Sequence, residues 1–481
     1  MTGCENMDFG DTNKNVNGPS DPNTASLLSG GIMSFATRTG RPYRITPTLN
    51  VQYFMQLVYN DEMLYANYPG YWSSYYVQRL SNMQQVIDIC SDPETAADPL
   101  VIANGDPVNQ LAVAMIFKSV IFKQVTDLFG DVPYSEALDV ETTLTPAYSS
   151  QEDIYAGMIA DVTAARDMIN TSTAGPTGDP IYDGDMDSWV RFANSFLMSL
   201  AMQLTESGTT AVNPSAVFND ALGHAGGVIE DVSQEAWYTF DIANGFDNPW
   251  SWMRSADYGV SQELISSMKG AGDNKATTNT IYDNRLAYIM ADTSQAGLPY
   301  GYLNYDDNQA DVNLNFISAE TSLPLMQAGY VWLNRAEAAE RGWTSEVVND
   351  MITNGILASW ESFEALYSPG SGITIPAGNA AAYAAGRVAD VATAPGGALQ
   401  VIGEEKWIAL FPLGYDAWAE WRRSDYPILF PAPDAINDGD IARRYNYPSD
   451  EATLNSANYQ AGVSGLTPAQ DINTARVWWD K

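Results

Sequence analysis

The side chains with the most chemical potential are aromatic rings that fall in polar loops instead of on helical stripes. Tyr71 and Trp72 lie with Tyr68, Tyr75 and Tyr76 around Pro69-Gly70; Trp250 and Trp252 lie with Phe246 around Pro249; Tyr300, Tyr302 and Tyr305 alternate in LPYGYLNYDD. A flat ring offers an apolar face, and Tyr and Trp add a polar edge. A sugar ring has an apolar C–H face and hydroxyl edges, so such rings beside Asn and Asp suit stacking on a carbohydrate, with no bond broken. The competing reading of each ring is an anchor that packs its loop onto the helices. The residues leave both open.

Two acidic runs have the oxygen spacing of a calcium loop. Asp183, Asp185 and Asp187 alternate like the first half of an EF-hand, but position six is Ser188 and position twelve is Asn194 where Gly and Glu are needed. Asp306, Asp307 and Asp311 form a second run. Either would hold a structural calcium ion, and no other cofactor is required. Solvated loops and helix caps are the plainer account of both.

Catalytic motifs are sparse. Ser266 and Lys269 have SxxK spacing without the SDN and KTG companions, and no GxSxG, Walker, GxGxxG or HExxH pattern occurs. The one histidine, His224, sits among small residues in ALGHAGGV, which is a poor setting for a general base. Glu404-Glu405 beside Lys406 reads as acid at a helix start, where the dipole favours it. With 59 Asp and Glu, some carboxylate pair falls near any cleft, so counting cannot single out the pair a glycosidase needs.

Of the two cysteines, Cys90 ends an apolar-periodic stretch and reads as a buried small hydrophobe. Cys4 follows Met1-Thr2-Gly3 and precedes a long polar run. That is the remnant of a bacterial lipoprotein signal once its charged and apolar parts are gone; the alternative is a stray thiol on a disordered terminus. No stretch approaches the 18 apolar residues of a spanning helix. Lys and Arg number 23 against 59 acids, a net charge of −36. A surface this acidic repels phosphate, which excludes nucleic acid and anionic headgroups as partners. Hydrophobic residues make up 45% of the 481, enough for a large core, so overall disorder is excluded.

The elements that must position the rings are helices. Apolar residues recur at three- and four-residue spacing in 49–65 and 73–89. Residues 107–129 are apolar nearly all round and stop at Gly130, so they predict a central buried helix. The series continues over 151–169, 187–205 (N-cap Asp187 or Ser188), 215–229, 322–342, 345–366 and 403–424. Residues 230–320 are rich in Asn, Asp, Gly and Tyr and predict long loops with short helices at 260–269 and 282–291 and short strands. A Gly/Ala/Pro-rich segment spans 368–398, and a long coil packed on the core follows from Asp425. Residues 1–48 read as a tether and irregular leading segment, and 49–481 as a single helical domain with a loop-rich insertion at about 230–320. The fold class is mostly α, built of helix pairs. NRAEAAERGW resembles the second helix of a tetratricopeptide unit, without a strict 34-residue period.

Several segments then resemble one family, the SusD/RagB outer-membrane nutrient-binding lipoproteins. They are TDLFGDVPYSEAL (126–138), DGDMDSWVRFANSF (183–196), IYDNRLAY (281–288), YVWLNRAEAAERGW (330–343), EKWIALFPLGYDAWAEWRRSDYP (405–427), RRYNYPSDEATLNSANYQAG (443–462) with INTARVWWDK, and FGDTNKNVNGPSDPNTASLL (9–28). There are departures: Ser199 and Gln203 stand at two usual Arg positions, Asn284 at a usual Pro and Glu405 at a usual Gln. They should change internal ion pairing and not the fold.

The resemblance implies tetratricopeptide-like helix pairs cradling a loop-rich ligand-binding part. It implies Cys4 as the lipidation site, with the outer membrane at the cell surface reached only through that anchor. It also implies a SusC-like TonB-dependent transporter as partner and an oligosaccharide as ligand. It supplies no site residue by motif, so the site expectation rests on Tyr71, Trp72, Trp250, Trp252, Tyr300, Tyr302 and Tyr305. Non-catalytic glycan capture is the leading reading. Peptide capture on the same scaffold is the second, and an all-α glycoside hydrolase the third.

Overall fold

The computed structural model describes residues 22–37, 41–67, 72–139, 142–303, 310–313, 318–369, 371–376 and 378–480. Among them the longer helices are α1 (Thr24–Ala36), α2 (Arg41–Asn50), α3 (Ser81–Ser91), α4 (Pro107–Phe129), α5 (Gln151–Met168), α6 (Met186–Gln203), α7 (Pro214–Gly223), α8 (Gln262–Lys269), α9 (Ala328–Glu340), α10 (Val348–Tyr367), α11 (Gly378–Asp390), α12 (Gly397–Ala409), α13 (Gly414–Ser424) and α14 (Ser456–Ser464). Neighbours in sequence pack in space: α3 on α4, α4 on α5, α6 on α7, α9 on α10, α12 on α13. Contacts of α5 with α6, α6 with α9 and α9 with α12 join these pairs into one body. The mostly helical class expected from periodicity is what the structure shows.

Three two-stranded antiparallel ribbons close the loops: β1 (Phe54–Gln56) with β5 (Tyr258–Val260), β2 (Val132–Pro133) with β3 (Tyr148–Ser149), and β4 (Ala236–Tyr238) with β6 (Leu323–Met326). The first matters most for function, because it ties the segment after α2 to the loop-rich middle.

Helix ends follow local chemistry. Asp106 accepts the Val108 N–H at 2.9 Å and Pro107 fills the first turn of α4. The helix stops at Gly130, with φ +92° and its N–H returned to Thr126. Sixteen of its side chains are buried, which confirms the central helix expected from its all-round apolarity.

Other expectations need correction. Among the described residues before 49, two helices, α1 and α2, stand where an irregular segment was expected. In α1, Leu28, Ile32 and Ala36 recur every fourth residue and are buried, and Asn23 caps it by accepting the Ser26 N–H at 2.9 Å. Gly31 lets α1 close on α3, since a Cβ there would lie 2.2 Å from the Met83 methyl carbon. Residues 49–65 are not a helix either. Gln52, Tyr59 and Tyr65 have φ of 58°, 59° and 66°, which ends any right-handed helix, and the apolar run between them is the fully buried strand β1. Such a run satisfies helix and buried-strand templates alike.

The N-cap of α6 is Asp185, rather than the expected Asp187 or Ser188; it accepts the Asp187 N–H at 3.0 Å and the Ser188 hydroxyl at 2.8 Å. The segment 403–424 divides into α12 and α13 around Pro412, which lacks the N–H a helix interior needs. Residues 378–390 of the Gly/Ala/Pro-rich segment form α11.

Because α12 begins at Gly397, Glu404, Glu405 and Lys406 are central and buried rather than at a helix start. They belong to two buried ionic groups. Arg285 donates to Asp283 at 2.7 Å and to Glu405 at 3.2 Å, while Arg387 reaches Glu404, Glu405 and Asp390, each at 2.6 Å. Arg423 and Lys406 share Glu337 and Glu420. Buried charge persists only when paired in this way. Glu405 therefore serves two guanidinium groups at once.

Candidate functional site

Four stretches of backbone meet at one end of the β1–β5 ribbon. Beyond the last paired residues, the Leu57 N–H donates to the Asp257 carbonyl at 2.7 Å, so the 57–65 turn and the 249–257 segment leave the ribbon together. Tyr300 donates its hydroxyl to the Met63 carbonyl at 3.0 Å and its ring lies 6.4 Å from that of Tyr65. The Ala432 N–H donates to the Tyr65 hydroxyl at 3.1 Å, the Ile436 N–H to the Leu64 carbonyl at 3.0 Å, and the Gln52 amide to the Phe430 carbonyl at 2.6 Å. These bonds hold segments 52–65, 249–257, 298–303 and 430–436 as one surface.

Each loop anchors one ring inward and presents another outward. Asn248 caps the turn Pro249–Trp252, accepting the Trp250 N–H at 2.9 Å. Trp250 is 3% exposed and packs 6.1 Å from Phe54, whereas Trp252 is 63% exposed. Tyr300 is likewise 3% exposed and Tyr302 46%. Gly301 between them has φ +82°, and a Cβ there would lie 2.4 Å from the Ala432 Cβ. Only glycine reverses the chain at that spot.

Among the described residues Trp252 and Tyr302 of the expected platform reach solvent, as does Phe246 beside Trp250. Trp72, Trp250 and Tyr300, also expected in an aromatic platform, are core anchors. Trp72 is enclosed by Phe129 at 4.9 Å, Tyr76 at 5.6 Å, and Tyr148 and Tyr447 at 6.0 Å. Burying a ring recovers more free energy than exposing it, so one ring per loop is taken as the anchor. Tyr71, Tyr305, Asp306, Asp307 and Cys4 lie outside the described residues.

Two exposed rings of this surface escaped the sequence reading. Tyr59 is 62% exposed at the turn of the 57–65 segment, where a helix was expected. Phe430 is exposed between Pro427 and Pro431, whose spacing signals a rigid loop.

The acidic run 183–187 gathers around a different residue. Asp179 accepts the Ile181 N–H at 2.9 Å, the Gly184 N–H at 3.1 Å and the Trp189 indole N–H at 2.7 Å. Asp185 is engaged in the α6 cap. Among the described residues no three His, Cys, Asp or Glu side chains, those of Asp183, Asp185 and Asp187 included, come together as a metal site. Asp311 is tied to Gln295, which accepts its N–H at 3.0 Å.

Two glutamates are pushed up to about 7 by burial, Glu235 and Glu263. Both accept hydrogen bonds from within the fold. Glu235 accepts the Ala328 N–H, the Trp237 indole N–H and the Ser362 hydroxyl, joining β4 to α9 and α10. Glu263, in the first turn of α8, accepts the Tyr300 N–H. His224 accepts the Gly226 N–H at 3.1 Å in the turn after α7, a structural role.

No helix among the described residues is long and apolar enough to cross a membrane. No curated protein matches the chain. A SusD-like family model, described as starch-binding associating with outer membrane, matches residues 16–448. Solved structures share the fold. A chitin-binding protein is 24% identical, covering 95% of this chain and 100% of its own with a TM-score of 0.79. A SusD homologue from Bacteroides fragilis is 21% identical, with 96% and 100% covered and a TM-score of 0.79. A chitin-binding SusD homologue from Flavobacterium johnsoniae is 22% identical, with 96% and 99% covered and a TM-score of 0.75. With the family model spanning most of the residues and the helix pairs superposing on these structures, the chain belongs to the SusD-like family of outer-membrane-associated nutrient-binding proteins.

Proposed function

We propose that this protein captures neutral oligosaccharides at the cell surface without turning them over. It is lipid-anchored through Cys4 and passes its cargo to a SusC-like TonB-dependent transporter. The observation that carries the reading is the loop surface on which Trp252, Tyr302 and Tyr59 stand exposed while their neighbours Trp250 and Tyr300 are locked inside. Exposed rings on a hydrogen-bonded frame lose little entropy on binding, which favours stacking on sugar. The chitin-binding names of two structural relatives support a glycan ligand. With a net charge of −36, a polyanionic glycan would be repelled and a neutral one indifferent, so affinity should change little with salt.

The test is calorimetry against neutral polysaccharides, chitin and starch oligomers included, with wild type and a Trp252→Ala/Tyr302→Ala variant. Binding weakened at least tenfold in the variant, with its melting temperature unchanged, supports the reading. Absence of binding to every neutral glycan, or selective retention of peptides from a digest, rejects it. Release of product from a bound polysaccharide rejects the non-catalytic part.

A further inference from the structure

An open groove of about 820 Å³ lies between α6, α7, α9 and the loop that follows α9. It shares no residue with the surface of Trp252 and Tyr302. Its size is within the roughly 300–1,000 Å³ of small-molecule sites. The charged groups in its walls are Arg191 of α6, Arg335 of α9, Glu230 and Glu346. Two basic and two acidic side chains balance, so the walls favour a ligand of neither sign.

Most of the wall is a hydrogen-bonded frame. The Arg335 guanidinium carbon lies 3.7 Å from the centre of the Trp332 ring, its Nε donates to Glu346 at 3.0 Å, and the same guanidinium pairs with Glu230. The Trp332 indole N–H donates to the Glu230 carbonyl at 2.9 Å, and the Glu230 N–H to the Gln234 amide oxygen at 2.9 Å. The Asn219 amide nitrogen ties α7 to the Trp343 carbonyl at 2.9 Å. Arg191 is the exception. Although the chain has 59 acids, no ion pair or hydrogen bond among the described residues holds its guanidinium.

The frame uses one end of each amide and one oxygen of the Glu230 carboxylate. The Arg191 fork, the second Glu230 oxygen, the Asn219 amide oxygen and the Gln234 amide nitrogen stay uncommitted. All four residues are half-buried or exposed, so they present surface to the groove. Planar groups with paired donors or acceptors match adjacent hydroxyls, and the half-buried Trp343 in the same wall adds indole surface for an apolar C–H face. A frame already bonded to itself loses little freedom on binding.

We propose that this groove is a second glycan site, which takes a short neutral oligosaccharide. Arg191, Glu230, Asn219 and Gln234 pair with its hydroxyls, and Trp343 packs on it. The ligand class rests on the glycan reading above, but the residues are different, so the two proposals can fail separately.

The experiment is calorimetric titration with maltotriose, cellotriose, triacetylchitotriose and trigalacturonate. The proteins are wild type, the Trp252→Ala/Tyr302→Ala variant, and that variant carrying either Arg191→Ala or Ser345→Trp, which adds bulk at an exposed wall position. At least one neutral trisaccharide should still bind the surface variant. Each groove substitution should weaken that binding by about tenfold or more, with the melting temperature unchanged. A crystal of the surface variant soaked with that sugar should show it against Arg191. No neutral trisaccharide bound by the surface variant, binding untouched by both groove substitutions, or binding of trigalacturonate alone would each overturn the proposal. Binding confined to proteins with Trp252 and Tyr302 intact would leave the loop reading standing and the groove rejected. Binding equal in wild type and the surface variant, and removed by Arg191→Ala, would leave the groove standing and the loop reading rejected.

Discussion

Glu263 receives the Tyr300 backbone N–H on both carboxylate oxygens, each at 3.1 Å. This links the first turn of α8 to the loop that carries Tyr302, and it makes the loop sensitive to pH. Burial raises Glu263 to about 7 in the folded state, against roughly 4.3 in an unfolded chain. A raised folded value means that the stabilising contribution is complete below about pH 4.3 and is lost as pH climbs through 7. Relative to Glu263→Gln, wild type should lose up to about 3 kcal/mol between pH 4.5 and 8. Denaturant melts of both proteins across that range read the difference. A difference constant with pH would contradict the assignment.

Trp250 and Trp252 are two residues apart and should behave as opposites. Trp250→Ala empties a packed site and should cost about 3–5 kcal/mol of stability. Trp252→Ala removes a mostly exposed ring and should change stability by less than about 0.5 kcal/mol while weakening glycan binding. Chemical melts paired with calorimetry separate the two.

At Gly301, any side chain meets both a positive φ and the Ala432 Cβ. Gly301→Ala should destabilise by about 1–3 kcal/mol and displace Tyr302. Glycan affinity should therefore fall along with stability, unlike in Tyr302→Ala, where affinity falls alone. Affinity held at wild-type level in Gly301→Ala would detach the loop from binding.

Arg285 offers a test of the frame itself. Arg285→Met would strand Asp283 and leave Glu405 with Arg387. Breaking a buried pair from one side costs about 3–5 kcal/mol. Urea melts should show that loss, and Asp283→Asn added on top should recover part of it. No recovery would mean that the cost comes from packing against Trp360 and Phe363, which lie 5.3 and 5.6 Å from the guanidinium.

The long helices were readable because their apolar residues recur at one period over many turns, as in α4 and α6. Places where one pattern serves two structures were not. Residues 49–65 satisfy a helical template, and only the left-handed Gln52, Tyr59 and Tyr65 turn them into strand and loop. The rings show the same limit. Trp250 and Trp252 have the same type and setting in sequence, and neither composition nor spacing says which one turns inward.

What the chain determined by itself was its class, its helix periods, its acidic surface and its family, since each depends on local pattern or summed composition. Which rings face solvent and where Glu405 lies were decided only by tertiary packing. Burial is a property of neighbours distant in sequence, such as Ala432 against Gly301 or Phe54 against Trp250, and no window along the chain contains both members of such a pair.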